Sequence, residues 1–155
     1  MPRAGISLGS NLGDRHANLR AAVDLLRKIA SPDEPFLKAP IYETEPVDCP
    51  VGSEAFLNSV VEIAFDGDAF GLLKLTRQIE ADLGRKALRE RNAPRLIDLD
   101  LLYFGDQIID SEALVLPHPR LCQRRFVLQP LADIRPELLL PGMTQSIGQM
   151  LAMQS

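Results

Sequence analysis

The sequence predicts an α+β domain with a ferredoxin-like βαββαβ core, in which helices lie on one face of a mainly antiparallel sheet, followed by a short C-terminal extension. The main reason is the order of its apolar patterns, which run strand, helix, strand, strand, helix, strand. A length of 155 residues suits a single domain, residues 1–155. With 46% hydrophobic and 25% charged residues, the chain can bury a core without disulfides, which argues against disorder.

The first half of the core starts with a short strand at residues 3–8. A turn-rich stretch follows, in which Asp14 can cap the next helix. Apolar residues then recur at helical spacing over residues 19–29, and this helix should end near Ser31-Pro32, because proline disfavours helix in the residue before it. Residues 36–44 predict the second strand.

The second half of the core opens with a proline-containing loop at residues 45–52. Residues 55–65 are rich in Val, Phe and Ile and predict the third strand. The helical pattern returns at residues 69–83, and Gly84 stands where a glycine commonly ends a helix.

The last core strand is predicted at residues 96–104, after a basic loop at residues 85–95. Residues 107–128 are less regular. Short helices are predicted at residues 130–136 and 146–153, and these form the C-terminal extension.

The last predicted strand carries two carboxylates, Asp98 and Asp100. Because alternate side chains of a strand share a face, they should lie side by side, with Ile97, Leu99 and Leu101 pointing into the core. Neighbouring carboxylates repel each other unless a hard divalent cation binds between them, and Mg²⁺ typically arrives with a substrate phosphate. The alternative is an amphipathic strand with a solvated acidic face.

Five of the seventeen basic residues fall within the eleven residues before this strand: Arg85, Lys86, Arg89, Arg91 and Arg95. Polyphosphate recognition needs cations for the phosphate oxygens and carboxylates for the bridging metal. The alternative is a solvated basic loop. Glu90 is the local acidic residue that offsets the cluster.

His118 lies between two prolines, followed by Arg120, Arg124 and Arg125. The stiff loop could hold its imidazole as a hydrogen-bond donor to a phosphate, although a lone histidine is more often structural. The sequence contains no G-x-x-x-x-G-K-[ST] phosphate loop and no Ser-His-Asp or Cys-His set for covalent catalysis.

Together these residues resemble the 6-hydroxymethyl-7,8-dihydropterin pyrophosphokinase family over nearly the whole chain. The motifs that carry the resemblance are, in order, Gly9-Ser10-Asn11-Leu12, Tyr42-Glu43-Thr44-Glu45-Pro46, Phe56-Leu57-Asn58, Ala93-Pro94-Arg95-Leu96-Ile97-Asp98-Leu99-Asp100-Leu101-Leu102, Phe104-Gly105, Pro117-His118-Pro119-Arg120 and Arg124-Arg125-Phe126-Val127-Leu128-Gln129-Pro130-Leu131. Each motif alone is a weak indication of the family, but their order and spacing together are specific to it.

The resemblance implies pyrophosphoryl transfer from ATP to a hydroxymethyl-pterin in folate synthesis, with two Mg²⁺ ions that enter with ATP. It assigns both ions to Asp98 and Asp100, and catalytic contacts to the triphosphate to Arg95 and Arg91. Further nucleotide-side positions are Arg85, Leu101, His118 and Arg124, with Leu101 at the adenine.

The resemblance also implies a pterin site. Phe56 and Phe126 would sandwich the flat ring, and Asn58 would bond its edge. Thr44 and Pro46 would complete the site. The chain departs from the family at Asn92-Ala93-Pro94-Arg95, where Trp-Gly-Pro-Arg is common, and at Ala87, where a loop arginine is common.

A net charge of −4 and an aromatic content of 5% argue against nucleic-acid binding. No segment reaches the roughly 20 apolar residues of a membrane span, and no signal peptide is evident. We therefore expect a monomeric cytoplasmic enzyme with small-molecule substrates. The alternatives are an RNA-binding module on the same fold, and another Mg²⁺-dependent nucleotidyl or phosphoryl transferase.

Overall fold

A computed structural model describes residues 1–44, 55–87 and 96–154; for residues 85–87 only the helical backbone is described. The core elements follow the predicted order: β1 (Arg3–Ser10), α1 (Arg15–Ile29), β2 (Leu37–Lys38), β3 (Tyr42–Thr44), β4 (Phe56–Ala64), α2 (Ala69–Ala87) and β5 (Asp98–Phe104). The remaining elements are β6 (Ile109–Asp110), β7 (Val115–Leu116), a 3-10 turn (Leu121–Gln123), α3 (Arg125–Ile134) and α4 (Ile147–Met153).

The main sheet has the strand order β2-β4-β1-β5, and β3 also pairs with β4. Every pairing in it is antiparallel, as predicted. β1 therefore lies centrally, with Gly9 opposite Asn58 of β4 on one side and Asp98 of β5 on the other. This register brings residues from three distant parts of the sequence to one end of the sheet.

β1 alternates large apolar residues with small ones. Ala4, Ile6 and Leu8 are buried in the core formed with α1 and α2. Gly5 points to the opposite face, where an added Cβ would lie 2.2 Å from the Tyr103 ring, so a larger residue would displace that ring. Ser7 likewise lies on the second face.

The C-terminal extension covers part of that second face. Val60 and Tyr103 of the sheet pack there against Val127 and Leu131 of α3, and Ile147 brings in α4. The predicted one-sided arrangement thus holds for α1 and α2, while α3 and α4 form a further layer on the opposite side.

Three local predictions are corrected by the structure. The strand expected at residues 36–44 is divided into β2 and β3, because Pro40 has no N–H for the ladder. α2 continues past Gly84, which does not adopt the positive φ of a glycine that ends a helix. α3 begins at Arg125, before the predicted residue 130, and includes Pro130 in its second turn.

The predicted cap of α1 is confirmed. The Ala17 amide donates to Asp14 Oδ1 at 3.1 Å, and the helix ends at Ile29, before Ser31-Pro32. Among the described residues, no helix is long and apolar enough to cross a membrane.

Candidate active site

A cleft of about 660 Å³ opens on the second face of the sheet, beside the part that α3 covers. One wall comes from the strands and the other from the segment that runs from Arg120 into α3. The lining residues are Ser7, Leu8, Gly9, Tyr42, Thr44, Phe56, Asn58, Asp98, Asp100, Arg120, Gln123, Arg124, Arg125, Phe126, Gln129 and Pro130.

Two half-buried carboxylates form the floor of this cleft. Asp98 and Asp100 both line it from β5, and their neighbours on β1 are Gly9 and Ser7. Because these neighbours are small, space remains beside the carboxylates. The alternation that buries Leu99 is therefore the same alternation that presents both aspartates to the cleft.

The start of β5 is fixed by hydrogen bonds from other elements. Ser10 Oγ donates to the Leu96 carbonyl at 2.6 Å, and Asn18 Nδ2 donates to Ser10 Oγ at 3.2 Å. From α2, Glu80 Oε2 accepts the Leu99 amide at 2.9 Å. The two aspartates thus stand on a rigid segment, which holds their separation without help from a ligand.

Another part of the lining, the aromatic slot, is formed by Phe56 and Phe126. Phe56 lies at the start of β4, and Phe126, which is 39% exposed, lies in the first turn of α3. Asn58 is 6% exposed, and its Nδ2 donates to Thr44 Oγ1 at 2.6 Å. A Cβ on Gly9 would lie 3.2 Å from Asn58 Oδ1, so the lack of a side chain at Gly9 makes room for the Asn58 amide.

Guanidinium groups form the rim above the carboxylates. Arg120, Arg124 and Arg125 all line the cleft. The Arg124 guanidinium lies 5.5 Å from the centre of the Phe126 ring, a cation–π contact. Arg125 Nη1 donates to the Gln154 carbonyl at 3.0 Å, which ties the rim to the end of the chain.

Charged residues of the cleft act on the imidazole of His118. Its Nδ1 accepts the Arg120 amide at 3.1 Å, so in the neutral ring the proton is on Nε2, which can donate to an anion. Its backbone amide donates to the Leu102 carbonyl at 2.8 Å. Burial lowers the pKa of His118, Asp100 raises it, and Arg124 and Arg120 lower it, so the imidazole tends towards a neutral donor.

The structure brings seven of the predicted site residues together in the cleft: Thr44, Phe56, Asn58, Asp98, Asp100, Arg124 and Phe126. Leu101 is different. It is 4% exposed and packs in the core with α1 and α2, so its predicted adenine contact finds no support in the lining of the cleft.

His118 is not among the lining residues, although the charges of Asp100 and Arg124 act on it. The four remaining predicted residues cannot be placed in the site. Arg85 lies in α2, with its backbone described and its side chain not. Pro46, Arg91 and Arg95 are outside the described residues. Their predicted roles stay predictions.

The sequence-based assignment missed several lining residues, among them Tyr42, Arg120, Gln123, Arg125 and Gln129. For two of them, the spacing in the sequence could have indicated their place in the site. Tyr42 is two residues before Thr44 on a strand, and Gln129 is one helical turn after Phe126, so each shares a face with a predicted site residue.

The donor set suits a hard cation that enters with phosphate. The described residues contain no group of three or more His, Cys, Asp or Glu side chains that could hold a metal by themselves. Mg²⁺ needs no such cage, because it keeps several waters and usually takes one or two carboxylates together with substrate phosphates. The carboxylate floor below a guanidinium rim fits that requirement.

The sequence profile of the 7,8-dihydro-6-hydroxymethylpterin-pyrophosphokinase family matches residues 5–136. The chain belongs to this family. It is 48% identical over 132 residues to a 2-amino-4-hydroxy-6-hydroxymethyldihydropteridine pyrophosphokinase of Bacillus subtilis, covering 84% of this chain and 77% of that one. A protein of the same name from Methylorubrum extorquens is 41% identical over 146 residues, covering 93% and 89%.

The fold is shared with a solved structure, the wild-type HPPK-DHPS of Plasmodium falciparum with pteroate. The TM-score is 0.77 at 16% identity, over 97% of this chain and 44% of that one. The predicted family, the α+β fold and the pyrophosphokinase class of enzyme are therefore confirmed.

Proposed function

We propose that this chain transfers the pyrophosphoryl group of ATP to the hydroxymethyl group of 6-hydroxymethyl-7,8-dihydropterin, and that the reaction serves folate biosynthesis. ATP is the co-substrate of the family to which the chain belongs. The observation that carries the proposal is the cleft itself, in which two carboxylates, a guanidinium rim and an aromatic slot line one space.

On the nucleotide side, Asp98 and Asp100 would hold two Mg²⁺ ions together with the phosphates of ATP. When bound, these ions would neutralise phosphate charge and bridge the nucleotide to the protein. Arg124 and His118 would donate to phosphate oxygens from the rim, joined by Arg91, Arg95 and Arg85. In phosphoryl transfer, such positioning and charge neutralisation provide most of the catalysis.

On the pterin side, Phe56 and Phe126 would stack on the two faces of the ring, and Asn58 would bond its edge. The Asn58 amide is already oriented by its hydrogen bond to Thr44, which reduces the entropy lost when the pterin binds. The hydroxymethyl oxygen would then attack the β-phosphorus of ATP and lose its proton to solvent. The bond from that phosphorus to the oxygen that bridges it to the α-phosphorus would break, AMP would leave with that oxygen, and the pyrophosphoryl group would stay on the pterin.

We also propose that residues 1–155 act as one domain, as a monomer in the cytoplasm, on small molecules rather than nucleic acid. The packing of α3 and α4 on the sheet joins the extension to the core.

The test is to identify the nucleotide that the purified protein forms from ATP, Mg²⁺ and 6-hydroxymethyl-7,8-dihydropterin. We expect AMP, with none formed when pterin is omitted or EDTA is added. Formation of ADP would indicate an ordinary kinase reaction and would contradict the proposal. A folded protein that binds ATP and forms neither nucleotide would contradict it too.

A further inference from the structure

A buried carboxylate lies at the end of α3 that is remote from the cleft. Glu62 of β4 has no exposed surface. Its Oε1 accepts Arg3 Nε at 2.5 Å, its Oε2 accepts Arg135 Nη1 at 2.6 Å, and Tyr103 donates to Oε2. Burial and the negative charge of Glu62 both raise the pKa of Tyr103, so this phenol stays protonated as a donor.

These contacts connect the same two elements that form the aromatic slot. On β4, Phe56, Asn58, Val60 and Glu62 occupy alternate positions of one face. The first two line the cleft, Val60 belongs to the apolar cluster under α3, and Glu62 binds the guanidinium of Arg135.

α3 runs alongside this row in the same order. Phe126 lines the cleft, Val127 and Leu131 pack in the apolar cluster, and Arg135 follows the last helical residue. Nine residues of helix span about 13 Å. Pro130 lies between the two ends, and it cannot donate a hydrogen bond to the Phe126 carbonyl, but Val127, Leu128 and Leu131 pack α3 on the sheet along its length. A shift of the helix end at Arg135 should therefore be passed along this packed face to Phe126.

We propose that the Glu62–Arg135 pair is a positioning device for the pterin slot: it sets the distance between β4 and α3, and hence the gap between the Phe56 and Phe126 rings. This inference rests on the proposed function only for the identity of the ligand. Glu62 and Arg135 are positioning residues, since neither lines the cleft.

Arg3 provides a matched control for Arg135. Arg3 and Arg135 bind the same carboxylate and are similarly exposed, at 26% and 33% of the side chain. Arg3 belongs to β1 and Arg135 follows α3. Loss of either cation weakens the charge balance of Glu62, and both changes should lower stability. Of these two changes, the loss of Arg135 removes a contact of α3, and the loss of Arg3 does not.

A second contact holds the same end of the helix, since Tyr42 donates to Asp133. Asp133 is exposed, so Asp133→Asn weakens this contact, by replacing a charged acceptor with a neutral amide oxygen, without leaving a buried charge unpaired. It provides a milder variant that should fold even where Arg135→Gln does not.

The experiment compares Arg135→Gln, Asp133→Asn and Arg3→Gln for pterin KM, ATP KM and kcat. We expect the pterin KM to rise about tenfold in Arg135→Gln and by a smaller factor in Asp133→Asn, because misplacement of one ring weakens stacking. ATP KM and kcat should stay within about twofold. Arg3→Gln should leave all three unchanged within that range.

A fluorescence measurement tests the geometry independently of activity. The chain has no tryptophan, so Phe126→Trp introduces a single reporter in the slot. We expect its emission to move to longer wavelength when Arg135→Gln is added, and to stay unchanged when Arg3→Gln is added.

Equal effects of the two arginine changes on the reporter, or no effect of either, would overturn the inference. A pterin KM that rises in Arg135→Gln while the reporter stays unchanged would also overturn it. Absence of AMP formation by the unmodified protein would refute the proposed function alone, and the fluorescence result would still decide this inference.

Discussion

The two faces of the sheet are covered to different extents. On the face towards α1 and α2, apolar side chains such as Ile6, Leu26 and Leu72 are fully buried. On the other face, α3 and α4 cover the end of the sheet near Tyr103 and leave the end near Asp98 open as the cleft.

The difference shows how one strand serves both stability and chemistry. In β5, Leu99 faces the continuous core, while Asp98 and Asp100 face the cleft. In β1, Leu8 contributes to the core and Ser7 leaves space above the floor. Substitutions on the first face should therefore change stability, and substitutions in the open cleft of the second face should change activity with little effect on folding.

The largest difference between the effect on activity and the effect on stability is expected for the two aspartates. Asp98→Asn or Asp100→Asn should lower kcat by at least about a thousandfold, because each removes a charge that would hold Mg²⁺ and the ATP phosphates. Both side chains are half-buried and border open space, so the midpoint of urea unfolding should stay close to that of the unmodified protein. AMP formation at several Mg²⁺ concentrations measures the effect.

Asp110→Asn is the control for this prediction, since Asp110 is an exposed acid on β6 outside the cleft. It should retain full activity. A folded Asp98→Asn or Asp100→Asn protein with near-normal kcat would refute the metal role of that aspartate.

The next effect concerns the apolar face. Leu72→Ala in α2 should lower the free energy of unfolding by about 2–5 kcal/mol, because it leaves a cavity at a fully buried position. Leu75→Ala, one turn away and 36% exposed, should cost less than about 1 kcal/mol. Urea unfolding followed by circular dichroism compares them. Similar losses for both would contradict the assignment of Leu72 to the buried side of α2.

A smaller effect is expected in the aromatic slot. Phe56→Ala or Phe126→Ala should raise the pterin KM by about 10- to 100-fold, since stacking of a heterocycle on one aromatic ring contributes about 1–3 kcal/mol. The ATP KM should change little. Phe70→Ala, an exposed ring on α2, is the control and should leave both constants unchanged. An equal rise in both KM values would argue against a separate pterin slot.

Much of the fold could be predicted because each prediction depended on local chemistry. The alternation at Asp98 and Asp100 indicated both the strand and the shared face of the carboxylates. The cap at Asp14 and the proline at residue 32 bounded α1. The spacing of apolar residues over residues 69–83 predicted α2.

Other features depend on long-range packing, which local patterns do not encode. α3 and α4 cover the second face through apolar contacts with distant strands, and a salt bridge across 73 residues, from Arg135 to Glu62, joins them. The arginine rim also required α3 to begin at Arg125, ahead of Pro130. Leu101 is buried in the core by its strand position, and its adenine contact, which the resemblance implies, stays a prediction.

The smallest predicted effect concerns His118, on which the carboxylate of Asp100 and the guanidinium groups of the rim act with opposite sign. Burial makes its charged form unfavourable and lowers its pKa below the ordinary value of 6.5. The folded protein therefore binds this proton less tightly than the unfolded chain, so protonation of His118 costs stability as the pH falls below 6.5. From pH 7 to 8 the ring should remain neutral and donate from Nε2. His118→Ala should lower kcat/KM for ATP by about tenfold, the value of one hydrogen bond to a charged phosphate.

Nitrogen-15 NMR titration of the metal-free protein, without nucleotide, checks the sign of each influence on this pKa. Asp100→Asn removes the charge that raises the pKa, so the midpoint should move to lower pH. Arg124→Gln removes a charge that lowers it, so the midpoint should move to higher pH. If both substitutions move the pKa in the same direction, the charges of the cleft floor and of the rim do not act on His118 with opposite sign. Its proposed place beside the phosphates would then be wrong.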